Sequence, residues 1–307
     1  MTSQRFSSIR RSDLKLGNEP AREIKPRSGS QGVGGRGKAP GVKTSYKLCS
    51  SRHFLFLLLA AMLLPAHFVA QQAPAPCPSQ PDIDRATALL KQEKVDDAAK
   101  ILKGAVDNDP KCPGAHLQYG NLLYKRGRVG DALLEFQQAV KLDPKLEEAS
   151  HRLGNTYARL NRFDDAIKAF KAALALNPNA ADVEVDLGNV YAVRGVAAEG
   201  KAHYLAALKI NPNLAVARNN LGLLLKDEKN YEEAIKEFEK AASIDPAYAD
   251  PHEGLGDVYT LQKKYNDAVR EYELYLKLAP NADDANVVRR AISAAKSMAA
   301  RPQSKSQ

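Results

Sequence analysis

The sequence lacks most of the features that signal chemistry. It has no tryptophan, three cysteines and 7% aromatic residues in 307. Long apolar runs are missing. The longest, Phe54–Leu64, has eleven residues, and a membrane-spanning helix needs about 20. A charge excess is missing from the body of the chain. The net charge is +9, but residues 1–70 hold 12 Lys and Arg against 3 Asp and Glu, which leaves 33 of each sign elsewhere. That distribution argues against a basic domain for DNA or RNA. Metal-ligand motifs are missing, because His116, His151, His203 and His252 lie in different repeats with no second His or Cys at metal-ligand spacing. A phosphate loop is missing too. The glycines of Gly32–Gly37 follow no strand and open no helix. Ser150 and His151 are adjacent, but helix neighbours do not face each other and no nucleophile motif surrounds them. No catalytic residue, metal or cofactor is expected.

The N-terminal segments read as an export signal. Residues 1–53 are rich in Ser, Gly, Arg and Lys and read as a disordered basic leader, with Val42 as an alternative downstream start. Residues 54–70 follow a positive flank (Lys47, Arg52) and join a short apolar core to small residues, the layout of a secretory signal. Cleavage is expected before Gln71, although Phe68 is bulky for the site; an uncleaved membrane anchor is the alternative. Residues 71–80 read as a Pro-rich linker. Cleavage removes Cys49 and leaves Cys77 and Cys112, an even pair for an oxidising compartment. In strict register the two lie about one repeat apart, too far for a bond. A fold-back of the linker would let them pair and pin the N-terminal edge.

What the chain does have is a repeat. Pro110, Pro144, Pro178, Pro212, Pro246 and Pro280 recur at a step of 34. Ala98, Ala132, Ala166, Gly200, Ala234 and Ala268 keep the same step. Four residues later stand Leu102, Phe136, Phe170, Tyr204, Phe238 and Tyr272, one turn along the same helix face. A Tyr-Gly or Leu-Gly pair recurs at Gly120, Gly154, Gly188, Gly222 and Gly256. The small residues let two helices approach closely, and the large ones fill the space between hairpins. Gly127, Asn161 and Gly195 fall where first helices stop, at positions that favour the left-handed conformation. Acidic pairs such as Asp96-Asp97 and Asp164-Asp165 open second helices, where they suit the helix dipole. The pattern predicts first helices near 81–92, 115–126, 149–160, 183–194, 217–228 and 251–262. Second helices are predicted near 95–108, 129–142, 163–176, 197–210, 231–244 and 265–278.

This small/large alternation over 34 residues ending in Pro resembles the tetratricopeptide repeat family. The resemblance covers residues 81–282 as six hairpins, without the Trp frequent in that family's first helices. It implies an all-α, right-handed superhelical solenoid. Beyond it, 283–299 keeps helical spacing through Val288, Ala291, Ile292, Ala295 and Met298 and is expected to cap the last hairpin. Residues 300–307 are expected to be a disordered tail. Gly200, in place of Ala, is expected to make the fourth hairpin the softest.

In that family the first helices line a concave groove that holds a peptide. The resemblance therefore points to polar residues off the hairpin contact face. Asn121, Asn155, Asn189 and Asp257 follow the recurring glycine, and Gln118, Arg152, Asp186 and Asn220 stand just ahead of the pair. An amide both donates to and accepts from a peptide backbone. Lys125, His151 and Arg159 add positive charge for an acidic ligand, and Tyr124 falls one position past the core row. The expected function is a non-catalytic scaffold of an exported, periplasmic or extracellular bacterial protein, with a protein or peptide partner and no nucleic acid. The alternatives are a membrane-anchored assembly factor, held only by an uncleaved N-terminal segment, and an accessory module of a separate enzyme such as a glycosyltransferase.

Overall fold

The computed structural model describes residues 77–301. The leader at 1–53, the signal at 54–70, linker residues 71–76, the Gly32–Gly37 run, Cys49 and tail residues 302–307 lie outside the described residues. Thirteen α-helices and no strand are found among the described residues. The first helices of successive hairpins are α1 (Gln80–Lys91), α3 (Pro113–Lys125), α5 (Glu147–Arg159), α7 (Ala181–Val193), α9 (Ala215–Asp227) and α11 (Asp250–Leu261). Their partners are α2 (Val95–Asn108), α4 (Val129–Leu142), α6 (Phe163–Leu176), α8 (Ala197–Ile210), α10 (Tyr231–Ile244) and α12 (Tyr265–Leu278). A last helix, α13 (Ala285–Ala299), packs on α12. Among the described residues no helix is long and apolar enough to cross a membrane.

The six second helices have the bounds that the repeat frame predicts, whereas most first helices start two residues earlier. The turn before them is shorter than expected. Asp143, Asn177, Asn211 and Asp245 each accept, through a side-chain oxygen, the amide of the residue two further on. This Asx turn spans the proline, and the next helix starts directly after it. Each first helix stops at a left-handed residue. Gly127 and Gly195 have φ of 75° and 77°, and Asn161 has 57°. Glu93, Lys229 and Lys263 take the same conformation at 62°, 63° and 59° without the glycine that favours it.

Packing repeats as the helices do. Each first helix after α1 contacts the second helix of its own hairpin and that of the hairpin before. Successive first helices also touch one another, so they share one face of the stack. Rings on the second helices fill the spaces made by the glycines. A Cβ added at Gly120, Gly154, Gly188, Gly222 or Gly256 would lie 2.5–2.7 Å from a ring carbon of Phe136, Phe170, Tyr204, Phe238 or Tyr272 respectively. Gly200 is buried, and a Cβ there would stand 3.2 Å from the Gly188 carbonyl oxygen, so the fourth hairpin is closely packed at that crossing. On α13, Val288, Ile292 and Ala295 are buried as expected, but Met298 is 43% exposed and falls outside the covered face.

The N-terminal edge is tied down before α1 begins, inside the stretch read as linker. Ser79 is buried and its hydroxyl donates to the Ala105 carbonyl at 3.3 Å. Cys77 and Cys112 are disulfide-bonded, with Cα atoms 5.4 Å apart. The strict-register distance does not apply to them, because Cys77 lies in a turn that closes on Gln80 while Cys112 is the residue ahead of α3. One carboxylate oxygen of Asp109 is buried without a hydrogen-bond partner, and Asp109 lies beside the two sulfurs.

Candidate functional site

Which residues of the first-helix face are free is decided by the rings beneath them. In the second, third and fifth hairpins the ring that plugs the glycine is Phe136, Phe170 or Phe238. In the fourth and sixth it is Tyr204 or Tyr272, and a buried hydroxyl needs an acceptor. The residue after the glycine supplies one. Tyr204 donates to Asn189 at 2.7 Å, and Tyr272 donates to Asp257 at 2.8 Å. Asn189 is buried and also accepts from the Asn220 side chain at 2.8 Å. Asp257 is further held by Lys226 at 2.6 Å. Burial pushes both tyrosine hydroxyls well above the usual pKa, with neighbouring carboxylate charge acting the same way.

The equivalent residues over phenylalanine behave differently. Asn121 and Asn155 are half-buried and make no side-chain hydrogen bond among the described residues. Over Phe238 the position is Leu223, which is 39% exposed. The expected row of four polar positions therefore splits. Asn189 and Asp257 belong to internal networks, as does Asn220 of a neighbouring row, and Asn121 and Asn155 remain available.

His151 and Asp186 are also joined to each other. His151 is buried, with Nε2 2.8 Å from an Asp186 oxygen and Nδ1 3.6 Å from Asp182. The pair links α5 to α7. The unengaged amides of Gln118, Asn121 and Asn155 lie on α3 and α5. A cleft of about 520 Å³ is lined there by Gln118, Asn121, Tyr124, Lys125, Glu148 and Arg152, with Leu90, Val95 and Leu122 as its apolar wall. Arg152 lies 3.6 Å from Glu148. Arg159 stacks its guanidinium 5.2 Å from the centre of the Tyr124 ring, which extends the polar surface along α5.

Sequence reasoning missed a set of ion pairs inside the hairpins. Position 116 of the frame faces position 135, nineteen residues on. His116 meets Glu135 at 2.6 Å, Arg218 meets Glu237 at 2.8 Å and His252 meets Glu271 at 2.8 Å. In the fourth hairpin the order is inverted, with Glu184 on α7 and His203 on α8, 2.7 Å apart. In the third hairpin the positions hold Ser150 and Ala169, and no charge is left unmatched. The signal was in the sequence as a charge pattern at constant offset. His116 also lies 3.1 Å from the Pro110 carbonyl oxygen through Nε2. Both of its neighbours are acceptors, an arrangement that favours the doubly protonated ring. Arg218 reaches the Pro212 carbonyl and Glu237 in the same way with a permanent charge.

These contacts predict a pH dependence. The Glu135 hydrogen bond lifts the His116 pKa above the usual histidine value, against the effect of burial. Burial pushes His151 down, but the Asp186 hydrogen bond and the Asp186 and Asp182 charges outweigh it, and its pKa also stands above the usual value. A raised folded-state pKa gives stability that is complete below the unfolded value of about 6.5 and is lost as pH rises through the folded value. The Tm is expected to be higher at pH 6 than at pH 8 by a few degrees, since about 1 kcal/mol moves Tm by roughly 2–4 °C at this size. The double variant His116→Gln/His151→Gln is expected to flatten the profile in thermal melts followed by circular dichroism. A wild-type Tm that climbs from pH 6 to pH 8 contradicts this account.

No metal cluster forms around the histidines among the described residues. The one group with metal-ligand proximity there is Cys77, Asp109 and Cys112, whose two sulfurs are bonded to each other.

Comparison with known proteins identifies the architecture. Profiles described as tetratricopeptide repeat match residues 83–147, 148–180 and 203–236, and one described as TPR repeat matches 224–263. No curated protein matches the chain. Similar solved structures include PilW, a type IV pilus biogenesis factor, 20% identical over 69% of this chain and 98% of its own, with a TM-score of 0.63. The Pseudomonas aeruginosa pilF structure is 18% identical over 69% of this chain and 96% of its own, at 0.60. A chain of the APC/C hetero-tetramer Cut9-Hcn1 is 19% identical over 70% of this chain, at 0.62; the match spans 43% of that longer chain. At these identities the likeness is one of fold.

Proposed function

Because the chain belongs to the tetratricopeptide repeat family, we propose that it is a non-catalytic scaffold that holds a segment of a protein partner on its first-helix face. The cleft between α1, α3 and α5 carries this reading. It joins an apolar wall to the unengaged amides of Gln118 and Asn121 and to Lys125, a combination that fixes both a side chain and a peptide backbone. Asn155 and Arg159 continue the same surface along α5. The exported location rests on the signal layout of residues 54–70 and on the bonded Cys77–Cys112 pair, which suits an oxidising compartment. An exported form beginning at Gln71 is the expected product. An uncleaved, anchored form separates from it by mass.

The test places a photo-crosslinking residue at Asn121, at Asn155 and, as a control, at Lys171 on α6. Partner adducts are expected from the two first-helix positions and not from Lys171. Adducts confined to Lys171 would move the binding surface to the second helices.

A further inference from the structure

The first helices of the first three hairpins each end on a cation. Lys91 is the last residue of α1, Lys125 of α3 and Arg159 of α5. The helix ends do not demand it, because α7, α9 and α11 close on Val193, Asp227 and Leu261 at the same place in the frame. All three cations are exposed and make no ion pair among the described residues. Arg159 lies over the Tyr124 ring, a contact that leaves its charge unbalanced. The acidic residues at this end of the stack open the second helices, and other cations hold them. Asp96 pairs with Arg126, Asp131 with Arg128, Asp165 with Arg162 and Asp164 with Arg194. Asp97 lies 3.8 Å from Lys100. Glu93 and Lys94, in the turn after α1, cancel in charge. Each helix end contributes about half a unit of negative charge, which the full charges of the three side chains outweigh.

The spacing of the row selects what can lie along it. Successive first helices touch one another, and packed helices lie about 8–10 Å apart. One positive charge therefore recurs about every 8–10 Å. A polyproline II segment has three residues per turn and rises about 3.1 Å per residue, so every third side chain points the same way at a step of about 9 Å. A β-strand returns to one face at about 6.6 Å and again at about 13 Å, and an α-helix after two turns at about 10.8 Å. From this we infer that the row binds an extended acidic segment of a protein partner, in polyproline II conformation, with a carboxylate at every third residue. Such a segment makes no hydrogen bonds within itself, which leaves its backbone to the amides of Gln118 and Asn121 beside Lys125 in the cleft. The apolar wall of Leu90, Val95 and Leu122 belongs to α1, α2 and α3, so it takes an apolar side chain from the interval between the carboxylates at Lys91 and Lys125. The inference rests on the scaffold reading above and adds the chemistry of the partner.

The experiment uses the full chain and two fluorescent peptides of identical composition, rich in Pro and Ser. In one, three Glu stand at every third position with a Leu in each interval. In the other, the three Glu are contiguous. In anisotropy titrations at 0.15 M salt, the spaced peptide is expected to bind about fivefold more tightly, on the scale of two or three exposed charge pairs. The basic leader meets the same net charge in both peptides, so it does not generate the difference. Lys91→Gln/Lys125→Gln changes two exposed residues, leaves the helical spectrum unchanged and is expected to abolish the preference. A photoreactive group in place of Leu is expected to label α1 or α3. Equal affinity for the two peptides, or no binding of either, overturns the inference, while crosslinking from Asn121 and Asn155 still decides the scaffold reading. A preference that survives the double variant, or labels on α7, α9 or α11, overturns the assignment to this row. Labels confined to second helices overturn the scaffold reading with it.

Discussion

Phe238→Ala is expected to lower the unfolding free energy by about 3–5 kcal/mol, the range for removing a fully buried aromatic side chain. The ring is fully buried and is enclosed from two hairpins. An ideal Cβ on Gly222 of its own hairpin would stand 2.7 Å from the ring, and one on Gly254 of the next hairpin 2.5 Å. Glycine backbone on two sides of the ring limits how far its neighbours can collapse into the space. The damage is expected to be local. In a stack where each hairpin contacts mainly its neighbours, stability is a sum of unit and interface contributions. Loss of the ring weakens the fifth hairpin and its joint with the sixth together. Urea unfolding followed by circular dichroism should separate into two transitions, with α11, α12 and α13 exchanging amide hydrogens first. A single transition displaced by less than about 1 kcal/mol would show that the ring is not the joint.

The same glycine–ring arithmetic explains why the fold was legible. A crossing that admits only a small residue and a space that demands a large one recur in every hairpin, so the 34-residue step survives in the sequence. The second helices are legible because an acidic first turn and a proline after the end mark both of their limits. The starts of the first helices are less legible, because they depend on the Asx turn at residues such as Asp143 and Asn177. Candidate binding residues were legible as a row but not as to which were free. Asn121 and Asn189 occupy equivalent positions, and only the ring beneath distinguishes them. The distinguishing signal is Tyr204 and Tyr272 in the column that holds Phe136, Phe170 and Phe238 in the second, third and fifth hairpins. The ion pairs went unread because their partners alternate among His, Arg and Glu and invert at Glu184–His203. A column of identical residues stands out in a repeat, whereas a column of matched opposites does not.

The second large effect follows from that tyrosine. Asn189→Leu is expected to cost about 2–4 kcal/mol, because it leaves the Tyr204 hydroxyl and the Asn220 amide buried without their acceptor, at about 1–3 kcal/mol for each orphaned group. The fifth hairpin shows how the loss is compensated, since Leu223 there sits over Phe238 with no hydroxyl to satisfy. Asn189→Leu combined with Tyr204→Phe copies the ring half of that arrangement and is expected to recover the Tyr204 share of the loss, while the Asn220 amide stays without its acceptor. The double-mutant coupling should then fall in the range of about 0.5–3 kcal/mol found for residues in direct contact. Asn121→Leu is expected to change stability by less than about 0.5 kcal/mol, as for a side chain outside any network. Thermal or urea unfolding of these three variants and of Tyr204→Phe alone decides the matter. An Asn189→Leu protein as stable as the Asn121→Leu protein would remove the distinction. If the distinction holds, loss of a partner on changing Asn121 and Asn155 reports on binding, whereas loss on changing Asn189 reports on the fold, and the two must not be combined in one variant.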